Sequence, residues 1–190
     1  WQFMELRRVK EASPIPIMAD ESCCDHHDAE RLIALGACQR FNIKLGKSGG
    51  LFKAKKIIVL AEQAGMEVQI GGFLESRLAW TAAAHLALTS DAVRYCDMDT
   101  PLMFTEDPVV VGIIYGSAGS ITLPATKGLG ASIDPAYLLG LVNFINRVRE
   151  ETEVYNLTPF GPMYAQRNIH NEEFHGVPYL TPQEFVRRFS

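Results

Sequence analysis

Apolar positions along the chain alternate between short continuous runs and longer stretches with a helical period. The short runs are Ile15 to Ala19, Phe41 to Leu45, Glu67 to Phe73 and Arg94 to Met98. Their length and β-branched or aromatic content predict strands. Between them, Leu51, Ala54, Ile57, Ile58, Ala61 and Ala64 form one stripe, which predicts a helix over 51–64, ended by Gly65. An Ala-rich helix is expected over 76–88, and a shorter one over 28–35, capped by Asp25 and ended by Gly36. At the start, Phe3, Met4, Leu6 and Val9 share one side of the end of an amphipathic helix. Ser13-Pro14 stops it, because proline pushes its predecessor out of the helical region.

Strand then helix, repeating every roughly 25 to 30 residues, is the unit of a parallel α/β sheet. Four strands are present where a closed (β/α)8 barrel needs eight, so about half a barrel is expected. Open edges on such a half invite pairing, with the missing half or with a further copy as a homo-oligomer. From Phe104 the character changes. Ile113-Ile114-Tyr115 and Ile121-Thr122-Leu123 flank a Gly/Ser turn and predict a hairpin. Pro124 to Gly130 reads as a loop. Tyr137 to Arg149 reads as a helix with Leu138, Leu141, Val142, Ile145 and Val148 on one side. Glu150 to Ser190 has no clear period. The division expected is a partial barrel with its closing segment over 1–138 and an extension of unassigned role over 139–190.

Composition narrows the function classes. The 190 residues are 47% apolar and 21% charged, with a net charge of −4. No basic stripe points to nucleic acid, and no apolar run approaches the roughly 20 residues of a membrane span. The first residues lack the order of a signal peptide and lack an initiator Met, so the chain is expected to begin inside a longer protein. Cys23, Cys24, Cys38 and Cys96 match no metal-binding spacing and read as thiols of a reduced, cytoplasmic protein.

The chemistry gathers where strands end. Met18-Ala19-Asp20-Glu21-Ser22, Asn42-Ile43-Lys44-Leu45 and Asp97-Met98-Asp99-Thr100-Pro101 each close a strand with charged groups. Side chains at the carboxyl ends of parallel strands meet on one rim. Asp20 offers hard oxygen to a cation such as Mg²⁺, or else pairs with a cationic side chain or a helix end. Glu21 faces away from it if the strand pleat persists. Lys44 ends an apolar strand, where burial lowers an ammonium's pKa and makes a general base; pairing with Asp20 is the alternative. Asp97 and Asp99 share a strand face, so a substrate ammonium would relieve their repulsion, unless both are simply solvated. In the tail, His170, His175, Glu172 and Glu173 lack a metal-binding spacing. His85, His26 and His27 read as structural.

Taken in order, Pro16-Ile17-Met18-Ala19-Asp20-Glu21-Ser22, Asn42-Ile43-Lys44-Leu45-Gly46-Lys47-Ser48-Gly49-Gly50, Gly71-Gly72-Phe73-Leu74-Glu75-Ser76 and Asp97-Met98-Asp99-Thr100-Pro101-Leu102-Met103 resemble the enolase superfamily. Within it the chain resembles the muconate lactonizing subgroup, and dipeptide epimerases of the Ala-Glu epimerase type most of all. The likeness runs from Trp1 to about Leu138 and includes Ile121-Thr122-Leu123-Pro124 and Gly128-Leu129-Gly130.

The resemblance implies a role for each matching position. Asp20 matches a carboxylate ligand of Mg²⁺ on the fifth barrel strand. Lys44 matches the base on the sixth, which removes or returns the α-proton on one face of the substrate. Lys47, Glu75 and Glu21 fall at supporting positions. Gly72 and Leu74 lie on the seventh-strand rim that lines the substrate pocket, and Asp97 and Asp99 match the pair that binds a dipeptide's α-ammonium. The implied reaction is 1,1-proton transfer through an ene-diolate that Mg²⁺ stabilises. Phe73, Leu74, Leu78 and Trp80 hint at an apolar substrate side chain, unless they pack the barrel.

One departure weighs against an active isolated chain. The family's Lys-x-Lys and its two further carboxylate ligands would all precede Trp1. No epimerase activity is therefore expected without the N-terminal half of the barrel. A cycloisomerase or o-succinylbenzoate synthase of the same superfamily is the alternative enzyme, and a non-catalytic fragment the alternative class.

Overall fold

The computed structural model describes residues 3–156, with side chains through residue 147. Helix α1 (Phe3–Ala12) leads to β1 (Met18–Ala19), α2 (His26–Ala34) and β2 (Arg40–Lys44). A single turn, α3 (Leu45–Ser48), precedes α4 (Gly50–Gln63), β3 (Glu67–Gly71), α5 (Arg77–Ala87) and β4 (Val93–Cys96). The four strands form one parallel sheet in sequence order, β1-β2-β3-β4. That is half of a (β/α)8 barrel, with β1 and β4 as edge strands among the described residues.

Alternation along the strands separates core from site. Phe41 pairs with Val68 and Ile43 with Ile70, and all four are buried. They pack with Leu32, Ala54, Ile57, Ile58, Ala61 and Trp80 from the helices. The other strand face carries the registered pairs Asn42 with Gln69 and Lys44 with Gly71. A period of two therefore sends the apolar set to the helices and the polar set into the barrel. Asp25 caps α2 as expected, accepting from the Asp28 amide at 2.9 Å, while Asp28 accepts from the Cys24 amide at 3.1 Å. The two carboxylates thus satisfy amides on both sides of the helix start.

Several boundaries differ from expectation. The first strand has only two residues, because Pro16 removes a ladder donor from its front half. The last strand stops at Cys96, so Asp97 and Asp99 lie beyond it, ahead of a 3₁₀ turn over Thr100–Met103. The expected hairpin is present as β6 (Ile114–Tyr115) antiparallel to β7 (Ile121–Thr122). A second pair, β5 (Val109–Val111) with β8 (Ala131–Ile133), has no counterpart in the sequence reading. Arg77 organises this segment. Its guanidinium donates to the Asp107 carboxylate and to the carbonyls of Val109, Val111 and Ile113. These contacts hold Val111 at a φ of 60°, a conformation a β-branched residue rarely adopts.

The chain divides into two compact units, 1–132 and 133–190. Helix α6 (Pro135–Asn156) belongs to the second and starts earlier and ends later than the sequence suggests. Leu138 and Val142 are half-buried on it, whereas Leu141 and Ile145 are exposed. His170, His175, Glu172 and Glu173 lie outside the described residues. Among the described residues no helix is long and apolar enough to cross a membrane.

All four cysteines are free thiols. Burial pushes the Cys23 thiol up to about 12 and the Cys38 thiol to about 11. Thiolate is the reactive form. Cys23 and Cys38 are therefore expected to resist alkylation at neutral pH until the chain unfolds, which mass spectrometry after timed iodoacetamide exposure reads directly.

Candidate active site

At the carboxyl ends of β1 and β2, four charged side chains interlock. Asp20 follows β1 directly, where the backbone bends. Lys44 closes β2, and its neighbour two residues back on the same face is Asn42. Lys47 reaches back from α3. The Lys44 ammonium lies 2.9 Å from Asp20 Oδ2 and 2.7 Å from Glu21 Oε1. Lys47 donates to Asp20 Oδ1 at 2.7 Å and also to the Asp20 backbone carbonyl. Asn42 Nδ2 adds a third donor, 3.0 Å from Asp20 Oδ2. Both lysines are well covered, with 11% and 6% of their side chains exposed, against 35% for Asp20.

Two expectations need correction. The strand pleat does not persist past Ala19, so Glu21 turns the same way as Asp20 and shares its lysine. Lys44 is not a depressed-pKa base in this arrangement. Burial alone pulls its pKa down, but the hydrogen bonds it donates to Glu21 and Asp20 overcome that and hold it above the ordinary 10.5. The ion pair with Asp20, weighed as the alternative, is what the chain adopts.

Asp20 responds in the complementary sense. Burial raises its carboxyl, yet the Lys47 and Lys44 hydrogen bonds outweigh that and keep it below the ordinary 3.8. A lowered carboxylate pKa contributes stability that is full above the unfolded value and lost as pH falls through the folded one. A raised lysine pKa contributes stability that is full below 10.5 and lost as pH rises through the folded value. The melting temperature is thus expected to plateau between about pH 5 and pH 9 and to fall on both sides. Asp20→Asn should flatten both limbs in a pH series of thermal melts.

The β3 rim adds a second set. Gly72 passes so close to α5 that a Cβ there would sit 2.4 Å from the Trp80 ring and 3.0 Å from Glu75 Oε2. Its place at the rim is a packing requirement. Phe73 lies beneath the Lys44 ammonium, 4.8 Å from ring centroid to nitrogen, and Leu74 is 66% exposed. Glu75 is half-buried with Oε2 unpartnered, and burial raises its pKa. Between its unfolded and folded values it therefore opposes Asp20's acid limb.

Thr100 ties this rim to the next. Its hydroxyl accepts from Trp80 Nε1 at 2.7 Å and the Glu75 amide at 3.3 Å, and donates to the Glu75 carbonyl at 3.2 Å. Trp80 is fully buried and packs the barrel, which settles its role against pocket lining. Asp97 and Asp99 are exposed and flank buried Met98. His85 bonds the Leu129 carbonyl at 3.0 Å, the structural role expected of it. Asn42, Thr100 and Tyr115 were missed by sequence reasoning. Only Asn42 carried a signal there, being two residues before Lys44 on one strand face.

A model of the family described as enolase C-terminal domain-like matches residues 1–137. The chain belongs to this family. It is 58% identical over 139 residues to a D-Ala-D/L-Ala epimerase of Cytophaga hutchinsonii, covering 73% of this chain and 38% of that protein. A solved structure of the dipeptide epimerase from Cytophaga hutchinsonii, complexed with Mg and D-Ala-L-Val, superposes with a TM-score of 0.71 at 57% identity. That match covers 73% of this chain and 38% of the other. The substrate-liganded L-Ala-D/L-Glu epimerase from Bacillus subtilis gives 0.66 at 38% identity, covering 68% and 36%. The chain thus spans little more than a third of the length of these relatives.

The family match bears on the metal. Asp20 is suited to a hard cation, but both its oxygens are engaged by lysines. Among the described residues no group of three or more His, Cys, Asp or Glu is placed to hold a metal ion. Mg²⁺ takes six oxygen ligands in a demanding octahedron. The described residues alone do not build that site.

Proposed function

We propose that this chain is the C-terminal catalytic portion of a Mg²⁺-dependent dipeptide epimerase of the cytoplasm. In this reading residues 1–138 are the partial barrel with its closing segment, and 139–190 an extension. The observation that carries it is the convergence of Asp20, Lys44 and Lys47 at adjacent strand ends, in a chain 58% identical to a dipeptide epimerase over this region. Lys44 exchanges the α-proton of the dipeptide's C-terminal residue on one face. Asp97 and Asp99 hold the α-ammonium of its N-terminal residue. Asp20 supplies one metal carboxylate, oriented by Lys47, and the other ligands and the second base come from the N-terminal half of the barrel. Bound Mg²⁺ would supply positive charge at the substrate carboxylate. Glu21 and Glu75 act in support, Glu21 by pairing Lys44. Exposed Phe73 and Leu74 favour an apolar substrate side chain.

Asp97 and Asp99 weigh against a cycloisomerase or o-succinylbenzoate synthase, whose substrates carry no ammonium. A non-catalytic role is favoured by one observation, the full engagement of Asp20 by lysines.

Two incubations test the reading. The purified chain with Mg²⁺ and Ala-containing dipeptides in D₂O should give no α-deuteration. Adding the N-terminal portion of the Cytophaga hutchinsonii epimerase, which completes the strand count, should restore epimerisation. Turnover by the chain alone overturns the expected inactivity. A folded complex of the two halves without turnover overturns the catalytic assignment and leaves the non-catalytic one.

A further inference from the structure

We infer that Tyr115, on the closing hairpin, is a positioning residue that fixes the backbone between Asp97 and Asp99 for gripping an ammonium. The inference rests on the proposal that these two aspartates bind the substrate's amine.

Its basis is a three-point bracket. The Asp97 amide donates to the Ile70 carbonyl at 2.9 Å, which ties the first aspartate to β3. The Asp99 carbonyl accepts from the Leu102 amide at 2.9 Å, which ties the second to the 3₁₀ turn. Between them, the Met98 side chain is buried, and its carbonyl accepts from the Tyr115 hydroxyl at 2.6 Å. Two residues past the last ladder pairing, the backbone has no strand to hold it, and the phenol takes that place. Burial pushes the Tyr115 hydroxyl up to about 12, so it remains a donor throughout the neutral range.

The hairpin is itself anchored. Tyr115 pairs with Ile121 across it, and the Ile113 amide donates to buried Thr81 Oγ1 at 3.0 Å. Arg77 holds the Ile113 carbonyl at 3.2 Å. The chain from α5 through the hairpin to Met98 is thus a continuous brace. An aspartate pair two apart on a regular strand shares one face and needs no brace, but a pair on irregular backbone grips one ammonium only if that backbone is fixed.

The test titrates the ¹³C,¹⁵N-labelled chain with L-alaninamide, which carries the α-ammonium and no carboxylate, against N-acetyl-L-alaninamide as control. The wild-type chain should show saturable shifts of the Asp97 and Asp99 carboxyl carbons with the amine only. Tyr115→Phe keeps the ring and removes the hydroxyl; its apparent Kd should rise about fivefold, the scale of one hydrogen bond, with the acetylated control still silent. Equal affinity in the variant overturns the inference and leaves the aspartate assignment standing. No saturable shift in the wild-type chain overturns the ammonium assignment, and this inference with it. A measurement on the wild type alone covers a variant that fails to fold. The Met98 carbonyl ¹³C shift should hold its hydrogen-bonded value through the titration, and its release on binding would also overturn the inference.

Discussion

Lys44→Met, introduced into the chain and combined with the N-terminal barrel half, is expected to lower kcat by about a hundred- to ten-thousand-fold, the usual contribution of a positioned proton-transfer group. The loss should be asymmetric in isotope exchange. With a second base on the opposite face, one epimer keeps exchanging its α-proton with D₂O while the other stops. KM should change little, because Lys44 is assigned to the reacting hydrogen rather than to the carboxylate or the amine. Methionine preserves the length and covered position of the side chain, so the fold has no cavity to absorb. Chiral chromatography of the dipeptide with mass detection of deuterium reads both effects in one experiment. Equal exchange of both epimers by the variant would remove Lys44 from the reaction.

The largest effect on stability is expected at Trp80. Its side chain is completely buried among the helices and strands, and its indole nitrogen bonds Thr100 at 2.7 Å. Trp80→Ala should cost about 3–5 kcal/mol through lost burial and the cavity left behind. Trp80→Phe retains most of the apolar surface and forfeits the hydrogen bond. Thr100 then loses its strongest donor, and the expected cost falls to about 1–3 kcal/mol. Urea melts followed by far-ultraviolet circular dichroism separate the two. If both variants lose the same stability, the burial argument fails and the hydrogen bond to the rim carries the effect.

These expectations depend on features with unequal visibility in the sequence. The strand-helix order and the apolar faces of α4 and α5 were readable because each element obeys its own period. Asp25 was readable as a cap because a cap is local chemistry. Lys44 was readable as a charge closing an apolar strand. Its actual partners were less accessible. Glu21 joins Lys44 only because the backbone turns after a two-residue strand, and no period registers where a short strand gives out. The sign of the Lys44 shift followed from that same turn, since a second carboxylate tipped the balance against burial. Placing Asp97 and Asp99 on a strand failed for a related reason. The apolar run continues to Met98, yet the ladder ends at Cys96; Met98 is buried beyond it, with its carbonyl bound by Tyr115 of the hairpin instead of by a strand. Arg77 carried no signal at all, because its four acceptors lie 30 or more residues away and three of them are backbone carbonyls.

The cluster at the ends of β1 and β2 is electrically closed. Two ammonium groups face two carboxylates within 2.9 Å, and no net charge is left to attract an ion from solution. A divalent cation joining Asp20 would leave a surplus of two positive charges in a poorly solvated corner, an expensive state unless anions arrive with it. The half-barrel alone is therefore no electrostatic trap for metal. On the proposed function, the counter-charge would be carried in by carboxylates from the other half of the barrel or by the carboxylate of the substrate itself. Metal and anion would on this account load together rather than in sequence.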